Sequence, residues 1–154
     1  MFSNILVVCV GNICRSPTGE RLLQSLLPNK QVASAGLAVH KSHLSGKPAD
    51  QMAANLASEH GISLDGHEAQ QLTPELCAQY DLILVMEKRP FRSLNKKLLR
   101  RLVVKPCYLD NGSKKKNIPD PYRQSREAFE HAYALIEKSC IGMVKKNYKS
   151  KDYT

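Results

Sequence analysis

Cys9-Val10-Gly11-Asn12-Ile13-Cys14-Arg15-Ser16 sets a thiol and a guanidinium at C-x5-R spacing around a glycine-containing turn. A short loop of this kind, leading into a helix, can turn the N–H groups of Val10, Gly11, Asn12, Ile13, Cys14 and Arg15 inward as an anion nest. A cysteine at the lip of that nest feels its positive field and is expected to be held as thiolate. The arginine that closes the loop offers a planar fork matching two oxygens of a phosphate. A thiolate beneath a cradled phosphate ester is set for in-line displacement at phosphorus. That chemistry also needs an acid to protonate the leaving oxygen, and the same group can then activate water. Asp120, in Pro119-Asp120-Pro121-Tyr122, is the candidate, on a loop stiffened by two prolines. Tyr122 beside it can wall the pocket for an aromatic ring.

The spacing alone is a weak signal, and the elements that must position it strengthen it. Residues 5–10 are a continuous apolar, β-branched run of the sort buried on both faces of a parallel sheet. Ser16-Pro17-Thr18-Gly19-Glu20 reads as a helix start, with Ser16 capping, Pro17 in the first turn and an acid after it. Leu22, Leu23, Leu26 and Leu27 carry the helix's apolar stripe. Further strands are predicted at 31–35, ended by Gly36, at 81–86, and within 102–109 despite Pro106. Helices are predicted at 48–60, with Gly61 as stop, at 74–80, at 90–102 as a basic amphipathic segment, and at 125–148. Residues 110–121 read as loop. Strands alternating with helices predict an α/β fold: one domain with a doubly wound, mostly parallel sheet of four strands flanked by helices. Ligands of such sheets bind beyond the carboxyl ends of the strands, which is where the loop after strand 1 falls.

The bulk properties set limits. The 154 residues are 42% hydrophobic, enough for one packed core without disulfide staples. No stretch approaches the roughly 18 apolar residues needed to cross a bilayer, and the apolar run near the start lacks a basic leader. The expected location is cytoplasmic. The five cysteines, at 9, 14, 77, 107 and 140, show no C-x-x-C spacing. Cys77, Cys107 and Cys140 read as core thiols. Lys and Arg number 23 against 14 Asp and Glu, a net charge of +9 scattered over clusters such as 96–97, 100–101, 114–116 and a basic tail. Neither an aromatic-interleaved RNA-binding signature nor a helix-turn-helix pattern accompanies them, so no nucleic-acid partner is expected. Residues 1–148 form the expected domain and 149–154 a basic tail, with Tyr148 and Tyr153 in a frayed end.

Taken together, these motifs resemble the low-molecular-weight protein tyrosine phosphatases, in particular bacterial members acting on tyrosine-phosphorylated kinases of polysaccharide export. The resemblance covers nearly the whole chain: the Cys9–Pro17 segment, Ser34-Ala35-Gly36, Gly46-Lys47-Pro48-Ala49-Asp50, Asp81-Leu82-Ile83-Leu84, Met86-Glu87-Lys88 and Asp120-Pro121-Tyr122-Arg123. It implies a two-step reaction without metal or cofactor. Cys9 takes the phosphoryl group while Asp120 protonates the tyrosine; water then releases inorganic phosphate with Asp120 as base. Arg15 and the loop amides hold the equatorial oxygens, and Ser16 hydrogen-bonds the Cys9 sulfur. Asn12, Ser34 and His67 match the family's network that holds the loop in shape. Cys14 matches a second loop cysteine that can pair with Cys9 under oxidation. The implied partner is a phosphotyrosine protein, an autophosphorylated tyrosine kinase. The chain departs from the pattern at the rim: His43 or Leu44 stands where others carry an aromatic, and Arg123 replaces a second tyrosine, which favours acidic peptides.

Two other readings explain less. A thiol-coupled arsenate reductase shares a C-x5-R loop but relays oxidation through two further cysteines close in sequence, and Cys77 has no partner within the next dozen residues. A basic binding module leaves the joint presence of Cys9, Arg15, Ser16 and Asp120 unexplained.

Overall fold

The computed structural model describes residues 2–87, 104–106 and 117–148. The predicted basic helix at 90–102, Cys107, the lysines at 114–116, Tyr153 and the tail 149–154 lie outside the described residues.

The apolar run near the start forms β1 (Asn4–Cys9), whose side chains alternate between two cores. Ile5, Val7 and Cys9 enter the larger one, Leu6 and Val8 the smaller. Burial on both faces is why the run is continuous rather than alternating. After α1 (Arg15–Leu26), β2 (Gln31–Gly36) lies parallel to β1. Then come α2 (Gln51–Glu59), the one-turn α3 (Pro74–Cys77), β3 (Leu82–Val85), β4 (Val104–Pro106) and α4 (Arg126–Asn147). The sheet is parallel with order β2-β1-β3-β4, the four-stranded, doubly wound α/β arrangement expected. The winding reverses at β1, so the loop after Cys9 opens at the topological switch point.

The larger core joins α1, α2 and α4 to one face of the sheet through Leu22, Leu23, Leu56, Phe129 and Ile136. Helix α1 comes close because Gly19 faces the sheet; a β-carbon there would stand 3.0 Å from Met86 and 3.2 Å from Val7. The smaller core gathers Ala35, Leu72, Cys77, Ile83 and Val85. Cys77 and Cys140 are fully buried, as their apolar settings predict.

Several boundaries differ from the sequence reading, each for a local reason. Helix α2 starts at Gln51 rather than 48 because the Asp50 carboxylate accepts from the N–H groups of Met52 and Ala53, at 3.0 and 3.2 Å, and so fixes the cap. Helix α3 ends at Cys77, short of 80. Helix α4 begins as expected, with the Ser125 hydroxyl accepting from Ala128 N–H. Tyr148, placed in a frayed end by the sequence, is instead the buried C-cap of α4, its hydroxyl donating to the Phe2 carbonyl at 2.9 Å. Burial first, and the Asp81 carboxylate second, push its phenol up to about 12.

Gly36 closes β2 directly against the loop that follows β1. A β-carbon there would meet the Val10 carbonyl oxygen and a Val39 methyl at 2.6 Å each, and Asn12 at 3.0 Å. Gly36→Ala is therefore expected to cost about 2–3 kcal/mol of stability, since backbone cannot yield as a flexible side chain does. Urea unfolding of the two proteins measures it, and an unchanged midpoint would contradict the packing described.

Candidate active site

The loop between β1 and α1 is held from outside by its carbonyl groups. Leu37 N–H donates to Cys9 O and Ala38 N–H to Val10 O, both at 3.0 Å, and Asp50 N–H donates to Ile13 O at 2.8 Å. A ring nitrogen of His67, Nε2, donates to Asn12 O at 2.6 Å, because a carbonyl can only accept. Thr18 Oγ1 donates to Cys14 O at 2.9 Å. In a trans peptide the next residue's N–H points opposite to the carbonyl. Carbonyls tied to the surrounding scaffold thus send the amides of Val10, Gly11, Ile13, Cys14 and Arg15 the other way. The sixth amide, Asn12 N–H, donates to the Cys9 sulfur at 3.2 Å. Asn12 makes this possible by sitting in the left-handed region, φ 57°, where asparagine is among the few side-chain-bearing residues that settle readily.

Beneath the loop a chain of side chains is fully buried. Ser16 Oγ lies 2.9 Å from Cys9 Sγ, and the Asn12 side-chain amide donates to Ser16 Oγ at 2.7 Å and to Ser34 Oγ at 2.9 Å. Asn12, Ser16 and Ser34 are each 2% exposed or less. Ser16 was expected to cap α1; instead the helix starts at Arg15, Cys14 holds the cap position, and no side chain caps it. The serine hydroxyl serves the sulfur, and the first-turn amides remain able to face an anion.

Arg15 is 2% exposed, a buried cation held by several acceptors. Its Nη1 donates to the Glu87 carboxylate and, at 2.9 Å, to the Ile118 carbonyl. Its Nη2 lies 3.5 Å from Asp120 Oδ2, which brings the sequence's clamp and its acid together from positions far apart in the chain. Asp120 itself is about half exposed, and its other oxygen accepts from Tyr122 N–H at 3.1 Å, closing a tight turn. Among the described residues Tyr122 is one of two large exposed hydrophobic side chains, and the Arg123 guanidinium sits 5.2 Å from its ring centroid.

At the opposite rim Leu44 packs toward Gly11, where an added β-carbon would be 3.3 Å from its methyl. His43 is exposed and in the left-handed region, φ 55°. Leu44 rather than His43 therefore lies on the loop. Cys14 is buried, lining a small cavity with Thr18, Phe129 and Tyr133. That burial, reinforced by Asp50 and Asp120, pushes its thiol well up.

Residues of the site that the sequence reading left without a role are Glu87, Glu20 and Gln70. Glu87 was visible only inside the Met86-Glu87-Lys88 motif, and Glu20 only as an acid in the first helical turn. Gln70 N–H donates to Asn12 Oδ1 at 3.0 Å, and Ser34 Oγ donates to Glu20 Oε1 at 2.8 Å. Nothing local in sequence predicts either contact.

Comparison with known proteins agrees with this geometry. The family model for low molecular weight phosphotyrosine protein phosphatase matches residues 4–152. The chain is 52% identical to the low molecular weight protein-tyrosine-phosphatase Wzb of Escherichia coli K12, across 90% of this chain and 91% of that one. It is 46% identical to a probable phosphatase of the same kind, AmsI of Erwinia amylovora, over 90% and 93% of the two chains. Among solved structures, Vibrio vulnificus Wzb in complex with benzylphosphonate superposes with a TM-score of 0.87 at 54% identity, covering 95% of this chain and 99% of that one. Wzb of Escherichia coli K30 in complex with sulphate gives 0.80 at 39%, with coverage of 95% and 99%. With the loop, its buried arginine and the aspartate above it all accounted for, the chain belongs to the low-molecular-weight protein-tyrosine phosphatases.

Proposed function

We propose that the protein hydrolyses phosphotyrosine through a phosphocysteine formed on Cys9. The phosphate enters the loop with its oxygens on the amides of Val10, Gly11, Ile13, Cys14 and Arg15 and on the Arg15 guanidinium, while the Asn12 amide, expected from the sequence to join them, stays on the Cys9 sulfur. The Cys9 sulfur attacks phosphorus, the P–O bond to the tyrosine breaks, and Asp120 delivers its proton to the departing phenolate. Water then attacks the phosphocysteine, Asp120 takes its proton, and phosphate leaves as the sulfur recovers its electron pair. Hydrogen bonds from Ser16 and Asn12 N–H stabilise charge on sulfur both before attack and when it becomes the leaving group.

The observation that carries this reading is the sulfur's position under two donors, in the same loop as a buried guanidinium 3.5 Å from Asp120. The relative bound to benzylphosphonate supports it, since that ligand joins an aromatic ring to a phosphorus oxyanion that cannot be hydrolysed at a P–O–aryl bond. Phosphate competes with Asp120 for the Arg15 Nη2, which leaves the carboxyl free beside the leaving oxygen. Asn12, Ser34 and His67 hold the loop. Tyr122 and Leu44, with His43 further out, form the rim for the substrate's ring and flanking peptide. Cys14 is the partner for a protective disulfide with Cys9.

The resemblance to bacterial members of the family points to an autophosphorylated tyrosine kinase of polysaccharide export as substrate, met in the cytoplasm. Residues 1–148 are the catalytic domain, followed by a basic tail. Among the described residues no helix is long and apolar enough to cross a membrane.

Cys9→Ser is expected to leave less than about one percent of aryl phosphate turnover while phosphate still binds, because the hydroxyl is a far weaker nucleophile. Turnover above that level would remove Cys9 from its role. Asp120→Ala should slow esters of poorly acidic phenols by roughly two to four orders of magnitude and activated esters much less. A series of phenyl phosphates tests this, and equal losses across it would mean that another group is the acid. Asn12→Ala forfeits both ends of a buried amide in a left-handed position, so a stability loss of about 3 kcal/mol is expected. Denaturant unfolding checks it, and a loss below about 1 kcal/mol would show the network to be dispensable to the fold.

A further inference from the structure

The hydrogen-bond chain under the loop has a direction, and that direction can be read from proton counts. Gln70 N–H can only donate, so the Asn12 atom 3.0 Å from it is the carbonyl oxygen. The other end of that amide is therefore NH2, with two protons and no acceptor. Both protons go out, to Ser16 Oγ and Ser34 Oγ. Each serine hydroxyl has a single proton, and each already receives one from Asn12. Ser16 must then turn its own proton to its other partner, the Cys9 sulfur, 2.9 Å away. Ser34 must turn its proton to Glu20 Oε1, 2.8 Å away.

We propose that Glu20 is a positioning residue for the reaction: by accepting the Ser34 proton, it fixes the polarity of the chain that aims the Ser16 hydroxyl proton at Cys9. It stands four hydrogen bonds from the sulfur and touches neither sulfur nor substrate. The two anchors act from opposite sides. Gln70 N–H opposes a flipped Asn12 amide, and Glu20 supplies the acceptor without which the Ser34 proton has no partner among the described residues. With that proton orphaned, Ser34 favours the flipped Asn12 amide, whose carbonyl oxygen would accept from both serines, and the proton of Ser16 is no longer held on sulfur. The second oxygen of Glu20 accepts from Arg21 Nε at 2.7 Å, and the carboxylate is 15% exposed. One carboxylate thus serves two donors, Ser34 and Arg21. A glutamine at this position has one oxygen, and the charged Arg21, the stronger donor, draws it away from Ser34.

That difference supplies the test, which rests on Cys9 being the nucleophile. Glu20→Gln is expected to lower kcat for an aryl phosphate about tenfold, with KM changed less than about twofold, as loss of a directed hydrogen bond to a charged sulfur predicts. The pH midpoint for alkylation of Cys9 by iodoacetate should move up in the same protein, which a purely structural defect would not produce. Adding Arg21→Ala removes the competing donor, lets the glutamine oxygen face Ser34, and should bring kcat back to within about threefold of wild type. In a Ser34→Ala background, where no hydroxyl proton needs an acceptor, Glu20→Gln should add no further loss. A wild-type rate for Glu20→Gln, no recovery on adding Arg21→Ala, or a full tenfold loss without Ser34 would each overturn the proposal. Urea midpoints of all variants identify any that fail by unfolding, in which case the decisive comparison is Glu20→Gln within the Ser34→Ala background, where the same outcomes apply. If Cys9→Ser retained turnover, the underlying reading would fail; if it were inactive while Glu20→Gln ran at full rate, only the role of Glu20 would.

Discussion

Asn12 must adopt a backbone conformation that few side-chain-bearing residues tolerate, and the rest of the site is arranged so that it does. A non-glycine residue in the left-handed region costs of order 1 kcal/mol or more, and less for asparagine than for most. At φ 57° the chain bends sharply enough to turn the Asn12 amide onto the Cys9 sulfur. Glycine would take that shape at less strain but would bring no side chain. Asn12 answers four neighbours at once: His67 on its backbone carbonyl, Gln70 N–H on its side-chain carbonyl, and Ser16 and Ser34 on its NH2. These come from α1, β2 and the 67–70 segment, so the turn is clamped by elements distant in sequence. Rigidity here follows from the number of independent supports rather than from the strength of any one.

The second constraint is a buried cation. Taking a guanidinium out of water is costly unless its N–H groups find acceptors and its charge finds a partner. Arg15 meets both needs with Glu87 and Asp120 as carboxylates and Ile118 as a carbonyl. The two carboxylates differ in kind. Glu87 shares Nη1 with the Ile118 carbonyl at the rear of the fork, whereas Asp120 faces Nη2 at a longer distance and remains half exposed. In the proposed reaction a phosphate dianion replaces the second without disturbing the first. The guanidinium is therefore already oriented when substrate arrives, and the reorganisation that binding demands is confined to one exposed aspartate.

How much of this could be read from the chain depended on the distance over which each feature is determined. The buried strand, the C-x5-R loop and the helix after it are contiguous, and local pattern is enough to find them. The four-stranded parallel sheet follows from alternation of strands and helices, and the proline within β4 did not prevent that strand. Ser16 is instructive because local pattern misassigned its role in the helix: a serine followed by proline reads as a cap, yet its hydroxyl is drawn inward by a sulfur and an amide. Tyr148 was misplaced because the bond from its hydroxyl to the Phe2 carbonyl requires the two ends of the described chain to meet, 146 positions apart. Glu87 and Glu20 were equally opaque. Charged residues at a strand end or on a helix face are usually solvated, and only the folded arrangement shows each meeting a buried donor.

The contrast between the two halves of the site has a physical reason. The surroundings of Cys9 are sealed: Asn12, Arg15, Ser16 and Ser34 are all 2% exposed or less, and the hydrogen bonds among them act without competition from water. The acid cannot be sealed in the same way. In the proposed reaction Asp120 gives its proton to the leaving oxygen of a large protein substrate and then takes one from the attacking water, and its carboxylate is close to half exposed. Tyr122 and Arg123 beside it are exposed as well, as is His43 at the opposite rim. A sealed base and an open rim also separate what evolution can change. Any residue under the loop shares hydrogens with its neighbours, so one substitution leaves another donor or acceptor unpaired. An exposed residue such as His43 or Arg123 faces water and can vary without unpairing any of these hydrogen bonds, leaving the sulfur where it is.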